Sequence, residues 1–411
     1  MTAQGDPARR PRGARSISSG AARRIGSALT PLVAPVLALV TAFLIGAVVI
    51  VVTDVEHMRL LGTDPAGAIG GAIDVVVRGY GAMVAGAIGD PGRILAALQT
   101  GDPSDVAGAI RPLSEALVAA TPYVFVGLGL AVAFHAGLLN LGGDGQFEMG
   151  AFGAGATASL VGGLLPGPAT LVAALLGGTL AGAAYGFIPG FLKARTGAHE
   201  VITTLMLNAI APGLILLLAQ SGLFSGPPGP IPSVPPLIDM PTIRVDWGFV
   251  VSLAMAVVVS VLLFRTALGF ELRATGFSAS ASRFAGMRPG RTTMVAMAVS
   301  GGLAGMGSAF MALGPGSPGG VGFVALALAL LAGLRPSGVV LVALLYGALN
   351  NGAKQMVIET GIPLALLVVV IALAVMFIAA PKLIRSIWRV PLRQRADDIT
   401  SPRQLGQGEA L

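Results

Sequence analysis

The feature that most constrains this chain is a series of long apolar segments. A membrane-spanning helix needs about 20 mostly apolar residues, and the segments that meet this requirement are 32–53, 116–135, 168–192, 201–219, 248–264, 292–312 and 362–380. Shorter apolar segments, interrupted by Gly or Pro at their ends, occupy 147–161, 321–333 and 338–353. Only 11% of the residues are charged, against roughly 25% in soluble domains. We therefore predict an all-α integral membrane protein with about ten transmembrane helices.

The basic residues predict which side of the membrane each connection faces. Most of the 26 Lys and Arg fall in 1–30, 193–200, 265–291, 334–337 and 382–411, and few fall in 54–115, 220–247 and 354–361. Cytoplasmic segments are enriched in Lys and Arg, so both termini are predicted to be cytoplasmic. The predicted organisation is a basic tail (1–30), a transmembrane domain (31–385) and a C-terminal tail (386–411).

Two of the predicted outer segments are unusual. In 54–115, apolar residues recur at helical spacing between Gly and Asp, which favours short helices lying along the outer interface. Segment 220–247 is rich in Pro and cannot be helical throughout. We expect a stiff external loop there.

A polar stretch, NLGGDGQFEMG, lies at 140–150 between two apolar segments. The preceding helix is expected to end near Gly142–Gly143 and a new one to begin near Asp144, because Gly favours helix ends and Asp favours helix starts. A carboxylate at membrane depth costs a few kcal/mol, roughly 3 on insertion scales. Broken backbone is tolerated at that depth only when it is buried in protein or lines a water-filled cavity.

These considerations indicate a solute pathway or gate, or side chains that brace the break. The candidate residues are Asn140, Gly142, Gly143, Asp144, Gln146 and Glu148. The alternative is a cytoplasmic turn whose polar groups are solvated.

Polar residues on two other apolar segments are further candidates. Thr203, Thr204 and Asn208 form a stripe on one helix, and such residues either bond neighbouring helices or line a pore. Asn350 and Asn351 lie at the expected outer end of 338–353. They are expected to cap that helix, or else to meet a binding protein or solute. A second Gly/Pro break, at 313–323, mirrors the first one and suggests an internal repeat.

The longest inner connection, 265–291, carries five Arg and one Glu around a stretch of small residues. A short helix bounded by Gly276 and Gly286, with Phe284 as an apolar knob, would suit docking into a groove on a partner. The residues assigned to this surface are Glu271, Arg273, Gly276, Arg283, Phe284 and Gly286. The alternative is a solvated loop that only fixes topology with its positive charge.

Several function classes are excluded by what the sequence lacks. None of the three Lys precedes Ser or Thr, so there is no GxxxxGK[ST] phosphate loop and no cofactor is expected on this chain. His199–Glu200 does not continue as HExxH, because position 203 is Thr, and there is no Cys. We therefore predict neither a metal site nor enzymatic chemistry. The scarce aromatic residues and dispersed basic segments also argue against nucleic-acid binding.

The order of several motifs resembles the permease subunits of nucleoside and simple-sugar ABC importers, within the superfamily of ribose and branched-chain amino acid permeases. The matching stretches are ATPYVFVGLGLAVAFHAGLLN, AGLLNLGGDGQFEMGAFGA, GAHEVITTLMLNAIA, RATGFSASASRFAGMRPGRTT and LRPSGVVLVALLYGALNNGAKQM, over residues 110 to 385. Two departures occur. The family usually has Glu where Asp144 stands, and Asn-Pro near Ser278–Ala279.

The resemblance implies a set of partners in a bacterial cytoplasmic membrane. They are a cytoplasmic ABC ATPase that binds ATP, a second, homologous permease chain, and an external solute-binding lipoprotein. It also implies that 265–291 carries the coupling helix and that nucleosides are the first-choice solute. Alternatives are a simple-sugar ABC permease and an ion-coupled secondary transporter that uses Asp144 or Glu148.

Overall fold

The computed structural model describes residues 18–60, 62–226, 232–237, 243–314 and 320–389, and all regular elements in these ranges are helices. They are α1 (Ser18–Thr53), α2 (Val55–Leu60), α3 (Pro65–Ile88), α4 (Pro91–Thr100), α5 (Pro103–His135), α6 (Gly143–Val161), α7 (Gly167–Thr196), α8 (Glu200–Gln220), α9 (Trp247–Arg265), α10 (Ala267–Phe277), α11 (Ala279–Phe284), α12 (Pro289–Ala312), α13 (Val321–Leu331), α14 (Pro336–Thr360), α15 (Leu364–Ala379) and α16 (Pro381–Ile387). Residues 1–17 and 390–411 of the predicted tails lie outside the described ranges.

The helices have the lengths that a membrane protein requires. Seven of them, including Val36–Thr53 within α1, are long and apolar enough to cross a membrane by length and composition. Shorter apolar helices are α13 and Val368–Ile378 within α15. Each apolar segment identified in the sequence coincides with a helix. The predicted all-α, multi-pass membrane protein is confirmed.

The outer segment 54–115 contains longer helices than its sequence pattern predicts. α3 has 24 residues and is apolar enough to span a membrane, and α5 begins at Pro103 rather than near 116. α3, α4 and α5 all begin with an Asp-Pro pair. The Asp side chain accepts a backbone hydrogen bond from the first turn, and Pro at the first helical position presets the helical φ. The expectation of short helices is therefore wrong for α3.

α3 packs against the second half of α14. A Cβ at Gly79 would meet the Met356 side chain at 2.6 Å, and the Tyr80 hydroxyl donates a hydrogen bond of 2.6 Å to the Phe43 carbonyl of α1. α3 therefore joins α1 and α14 into one unit.

The described parts of the Pro-rich loop are not helical, as predicted. α8 ends at Gln220 and α9 begins at Trp247. Between them, the Leu237 N–H donates to the Val245 carbonyl at 2.7 Å. Residues 227–231 and 238–242 of this loop lie outside the described ranges.

The centre of the molecule is the packing of α12 against α7, which depends on glycines on both helices. Gly178, Gly182 and Gly186 on α7 face Gly301 and Gly305 on α12. A Cβ at Gly182 would lie 2.7 Å from the Gly305 Cα, closer than a side chain permits. Small residues allow this close backbone approach, which gives membrane helices their packing energy.

Replacing Gly182 with Leu is expected to prevent stable packing of α7 on α12. The added side chain would force the helices apart, at a cost of ~3 kcal/mol. The measurement is the fraction of detergent-extracted protein that elutes as a single species in size-exclusion chromatography. Gly155→Leu on α6 is the control, because nothing lies within 4 Å of a Cβ there. Equal behaviour of the two variants would contradict this account of the interface.

Candidate functional site

The first helix break lies at 136–142, earlier than expected. α5 ends at His135, and Gly137 has a φ of +73°. The Leu138 N–H donates to the Ala133 carbonyl at 3.0 Å, which is how a glycine in the left-handed conformation closes a helix. The expectation that this helix ends near Gly142–Gly143 is therefore wrong, because Gly137 already ends it.

The break is held by a buried hydrogen-bond network around Asn140. Its side chain is fully buried. Its side-chain nitrogen donates to the Ser300 hydroxyl (2.9 Å) and to the side-chain oxygen of Gln146 (3.0 Å). Its side-chain oxygen accepts from the Gly142 N–H at 2.9 Å. Ser300 lies near the middle of α12, so the network lies halfway along a full-length helix. Asn140 and Gln146 thus brace the break, which is one of the two roles considered for them. Because these side chains are buried, the break is not a solvated turn.

Asp144 joins the starts of two broken helices. It is the second residue of α6, whose N-cap is Gly142, and its carboxylate accepts a hydrogen bond of 2.6 Å from the Gly322 N–H in the first turn of α13. The new helix thus begins near Asp144, as predicted, although Gly142 rather than Asp144 is its N-cap. The positive ends of both helices converge on this carboxylate, an arrangement that favours its negative charge.

The two helix starts approach so closely because both carry glycine. A Cβ at Gly143 would lie 3.0 Å from the Gly322 Cα, and a Cβ at Gly322 would lie 2.6 Å from the Gly143 carbonyl carbon. α13 follows the second Gly/Pro break, of which residues 315–319 lie outside the described ranges. The two breaks in opposite halves of the chain thus meet at one point. The sequence contains no local signal for this pairing.

α8 supports the break from the other side. The Asn208 amide donates to the Leu141 carbonyl at 2.7 Å, and its carbonyl accepts from the Gly145 N–H at 2.9 Å. The Thr204 hydroxyl accepts from the Leu141 N–H at 3.3 Å. Thr203 instead bonds carbonyls of its own helix. Of the two roles considered for the stripe, bonding between helices describes Thr204 and Asn208.

Glu148 differs from its neighbours in exposure. It lies one turn after Asp144 on α6 and is exposed, whereas Gln146 and Phe147 are buried. Among the described residues, no hydrogen bond or ion pair to its carboxylate is formed. It is the acidic residue of this stretch whose side chain is exposed.

Asn350 and Asn351 do not lie at a helix end, because α14 continues to Thr360. The expectation that they cap this helix is wrong. The Asn351 amide donates to the Gly86 carbonyl at 2.8 Å and to the Pro112 carbonyl at 3.1 Å. It therefore ties α3 and α5 to α14, while Asn350 lines a cavity on another side of the helix.

The inner connection 265–291 forms two short helices rather than one. α10 includes Gly276, so this residue does not bound the small-residue helix as expected. Ser278 caps α11 by accepting from the Ala281 N–H at 3.2 Å. Gly286, with a φ of +82°, ends it as predicted. The structural reason for two helices is the Ser278 cap, which starts a new helix at that point.

Two phenylalanines of this connection point away from the protein. Phe284 is 95% exposed, and Phe277, which the sequence analysis did not single out, is 94% exposed. Arg283 is also exposed, whereas Glu271 is partly buried. Arg273 lies over the Phe264 ring at 5.4 Å. The two phenylalanines and Arg283 therefore form the outward surface, which we call the inner docking surface.

A direct backbone contact links α10 to the helix break. A Cβ at Gly276 would lie 2.7 Å from the Gly137 N and would also meet the His135 carbonyl oxygen. Gly276 and Gly137 therefore pack backbone to backbone, at the start of the broken segment. The inner connection thus contacts the helix break directly, through Gly276.

Comparison with known proteins agrees with this arrangement. The family described as "branched-chain amino acid transport system / permease component" matches residues 113–380. The guanosine ABC transporter permease protein NupP of Bacillus subtilis is 38% identical over 297 residues, covering 68% of this chain and 84% of NupP. The nucleoside ABC transporter permease protein NupB of Lactococcus lactis is 31% identical, with 66% and 80% covered.

A sugar permease also belongs to this group of relatives. The glucose ABC transporter permease protein TsgB13 of Haloferax volcanii is 32% identical, covering 65% of this chain and 75% of its own length. No solved structure matches the chain significantly. Since the family match spans both helix breaks and the inner connection between them, the chain belongs to the family of branched-chain amino acid transport system permease components, as a membrane-spanning ABC transporter permease.

Proposed function

We propose that this chain forms part of the translocation path of an ABC importer for nucleosides in a bacterial cytoplasmic membrane. Its partners in the proposal are a cytoplasmic ATPase that binds the ATP, a second, homologous permease chain and an external solute-binding lipoprotein. The observation that supports the proposal is the meeting of two broken helices at Asp144. In the proposal, this junction moves during transport. The nucleoside assignment is supported by the names of two relatives.

The proposed mechanism uses the contact between the inner connection and the break. The ATPase binds the inner docking surface and displaces α11 and α10. Gly276 then pushes on Gly137, and the displaced segment changes the distance between the starts of α6 and α13. We expect the starts of α6 and α13 to switch between two distinct arrangements, because the Asn140 network and the Asp144–Gly322 hydrogen bond are formed in one and broken in the other.

A simple sugar is the second candidate solute, favoured by the glucose permease among the relatives. Glu148 offers an exposed carboxylate that suits the hydroxyl groups of ribose and of free sugars alike. Ion-coupled secondary transport through Asp144 or Glu148 receives no support from the ABC permease relatives.

The test is uptake by the complete complex in proteoliposomes. The chain, its second permease, its ATPase and its binding protein are reconstituted together, and accumulation of labelled guanosine, adenosine, ribose and glucose is measured with and without ATP. We expect ATP-dependent accumulation of nucleosides, at least tenfold above that of either sugar. Preferred uptake of sugar would move the assignment to the second candidate. Accumulation driven by an ion gradient without ATP would overturn the proposal.

A further inference from the structure

A cavity of about 760 Å³ lies between α13, α14 and α15. It forms because α15 packs mainly along α1 and leaves space against the other two helices. Its volume lies in the range of small-molecule sites. The walls are apolar except for Tyr346 and Asn350, which lie four residues apart on one face of α14.

The Asn350 side chain has no hydrogen bond with any residue of the described ranges. Its neighbour Asn351, by contrast, makes two such bonds to other helices. The Asn350 side chain is half-buried and lies on a cavity wall that is otherwise mostly apolar. A polar occupant of the cavity could hydrogen-bond this amide, whereas a lipid chain could not.

Aromatic side chains supply flat surfaces around the same cavity. Phe323 is 50% exposed in the first turn of α13 and follows Gly322, which donates to Asp144. Tyr346 packs edge-on against Tyr123 of α5, with ring centroids 4.7 Å apart. The cavity is therefore lined by a residue next to the junction of the two broken helices, Phe323, and by an aromatic ring and an amide of α14, Tyr346 and Asn350.

We propose that this cavity binds the base of a nucleoside during its passage, with the base packed against Phe323 and Tyr346 and its polar edge hydrogen-bonded to the Asn350 amide. An amide supplies a donor group and an acceptor, and these match the adjacent O6 acceptor and N1–H donor on the edge of guanine. Bases also stack on aromatic rings. This assignment rests on the proposed nucleoside function and adds the residues that recognise the base.

The test compares two nucleosides that differ only at the base edge. Uptake of guanosine and of purine riboside, which lacks the exocyclic groups, is measured in the complete complex carrying Asn350→Leu. We expect the half-saturating concentration of guanosine to rise about tenfold, while that of purine riboside changes less than twofold, because a site built for a polar edge discriminates through it. Asn350→Ser is measured in parallel, so that failure of one variant to assemble leaves the other informative.

Gln355→Leu is the matched control, because it removes an amide from the same helix outside the cavity, where Gln355 bonds Glu359. It should leave guanosine uptake within twofold. Unchanged guanosine kinetics in both Asn350 variants would overturn the inference and point to lipid in the cavity, while nucleoside transport itself would stand. If the unmodified complex moves sugars and no nucleosides, the proposed function is the part that fails.

Discussion

Replacing Asp144 with Ala is expected to lower ATP-dependent uptake by the complete complex about 10- to 100-fold, because a hydrogen bond to a charged group is worth about 1.5–3 kcal/mol. The variant loses the acceptor that holds the Gly322 N–H at 2.6 Å. The starts of α6 and α13 then have no side chain between them to balance their two positive ends. The measurement is the initial rate of nucleoside accumulation in proteoliposomes, normalised to assembled complex.

Two further substitutions separate charge from hydrogen bonding at this position. Asp144→Asn keeps an acceptor but removes the charge, so an intermediate rate would assign part of the effect to the helix dipoles. Asp144→Glu keeps both and introduces the residue usual at this position in the related importers; it should retain most of the uptake. Full uptake by a correctly assembled Asp144→Ala complex would show that the junction has no role in transport.

The second large effect is expected at the inner docking surface. Phe284→Asp should release the ATPase from the membrane complex, because burying a phenylalanine contributes about 2 kcal/mol and a buried unpaired carboxylate opposes binding. Phe284 and Phe277 are both almost fully exposed on an inner connection, so a partner is the remaining way to bury them. The measurement is the ratio of ATPase to permease after affinity purification.

A matched control and a companion variant complete this experiment. Leu223→Asp changes an apolar residue that is 71% exposed after α8, in the connection that the sequence predicts to be external, and it should leave the ATPase bound. Gly276→Val should also keep the ATPase bound, yet lose stimulation of ATP hydrolysis by loaded binding protein. Its side chain would collide with the broken segment at Gly137 and so disturb transmission rather than docking. Retention of the ATPase by Phe284→Asp would exclude docking through this residue.

Some helix boundaries of this protein can be predicted from local sequence alone. The apolar segments identified the helices because the thickness of a bilayer fixes how long an apolar run must be. Three Asp-Pro pairs in the sequence mark the starts of α3, α4 and α5, and their capping geometry depends only on adjacent residues. Gly137 was an equally local signal for the end of α5. Neither signal was used to place the boundaries of α3 and α5, and the boundaries predicted for these two helices are wrong.

The outer asparagines illustrate a different kind of error. Asn351 was expected to cap a helix, because it lies at the end of the apolar segment 338–353. It instead bonds carbonyls of Gly86 and Pro112, which are far away in sequence. A polar residue inside a membrane helix must find a partner, but the sequence does not say on which helix that partner lies.

The sequence by itself thus determined an all-helical membrane protein, its polar break and its exposed inner connection, since apolar length, charge and capping are local properties. Only the tertiary structure decided that Asn140 bonds Ser300, that Asp144 bonds Gly322, and that Gly276 touches Gly137. The members of each pair are far apart in the sequence. Glycines let the starts of α6 and α13, and α10 and the break, approach to backbone contact. The junction on which transport is proposed to depend is therefore a product of helix packing.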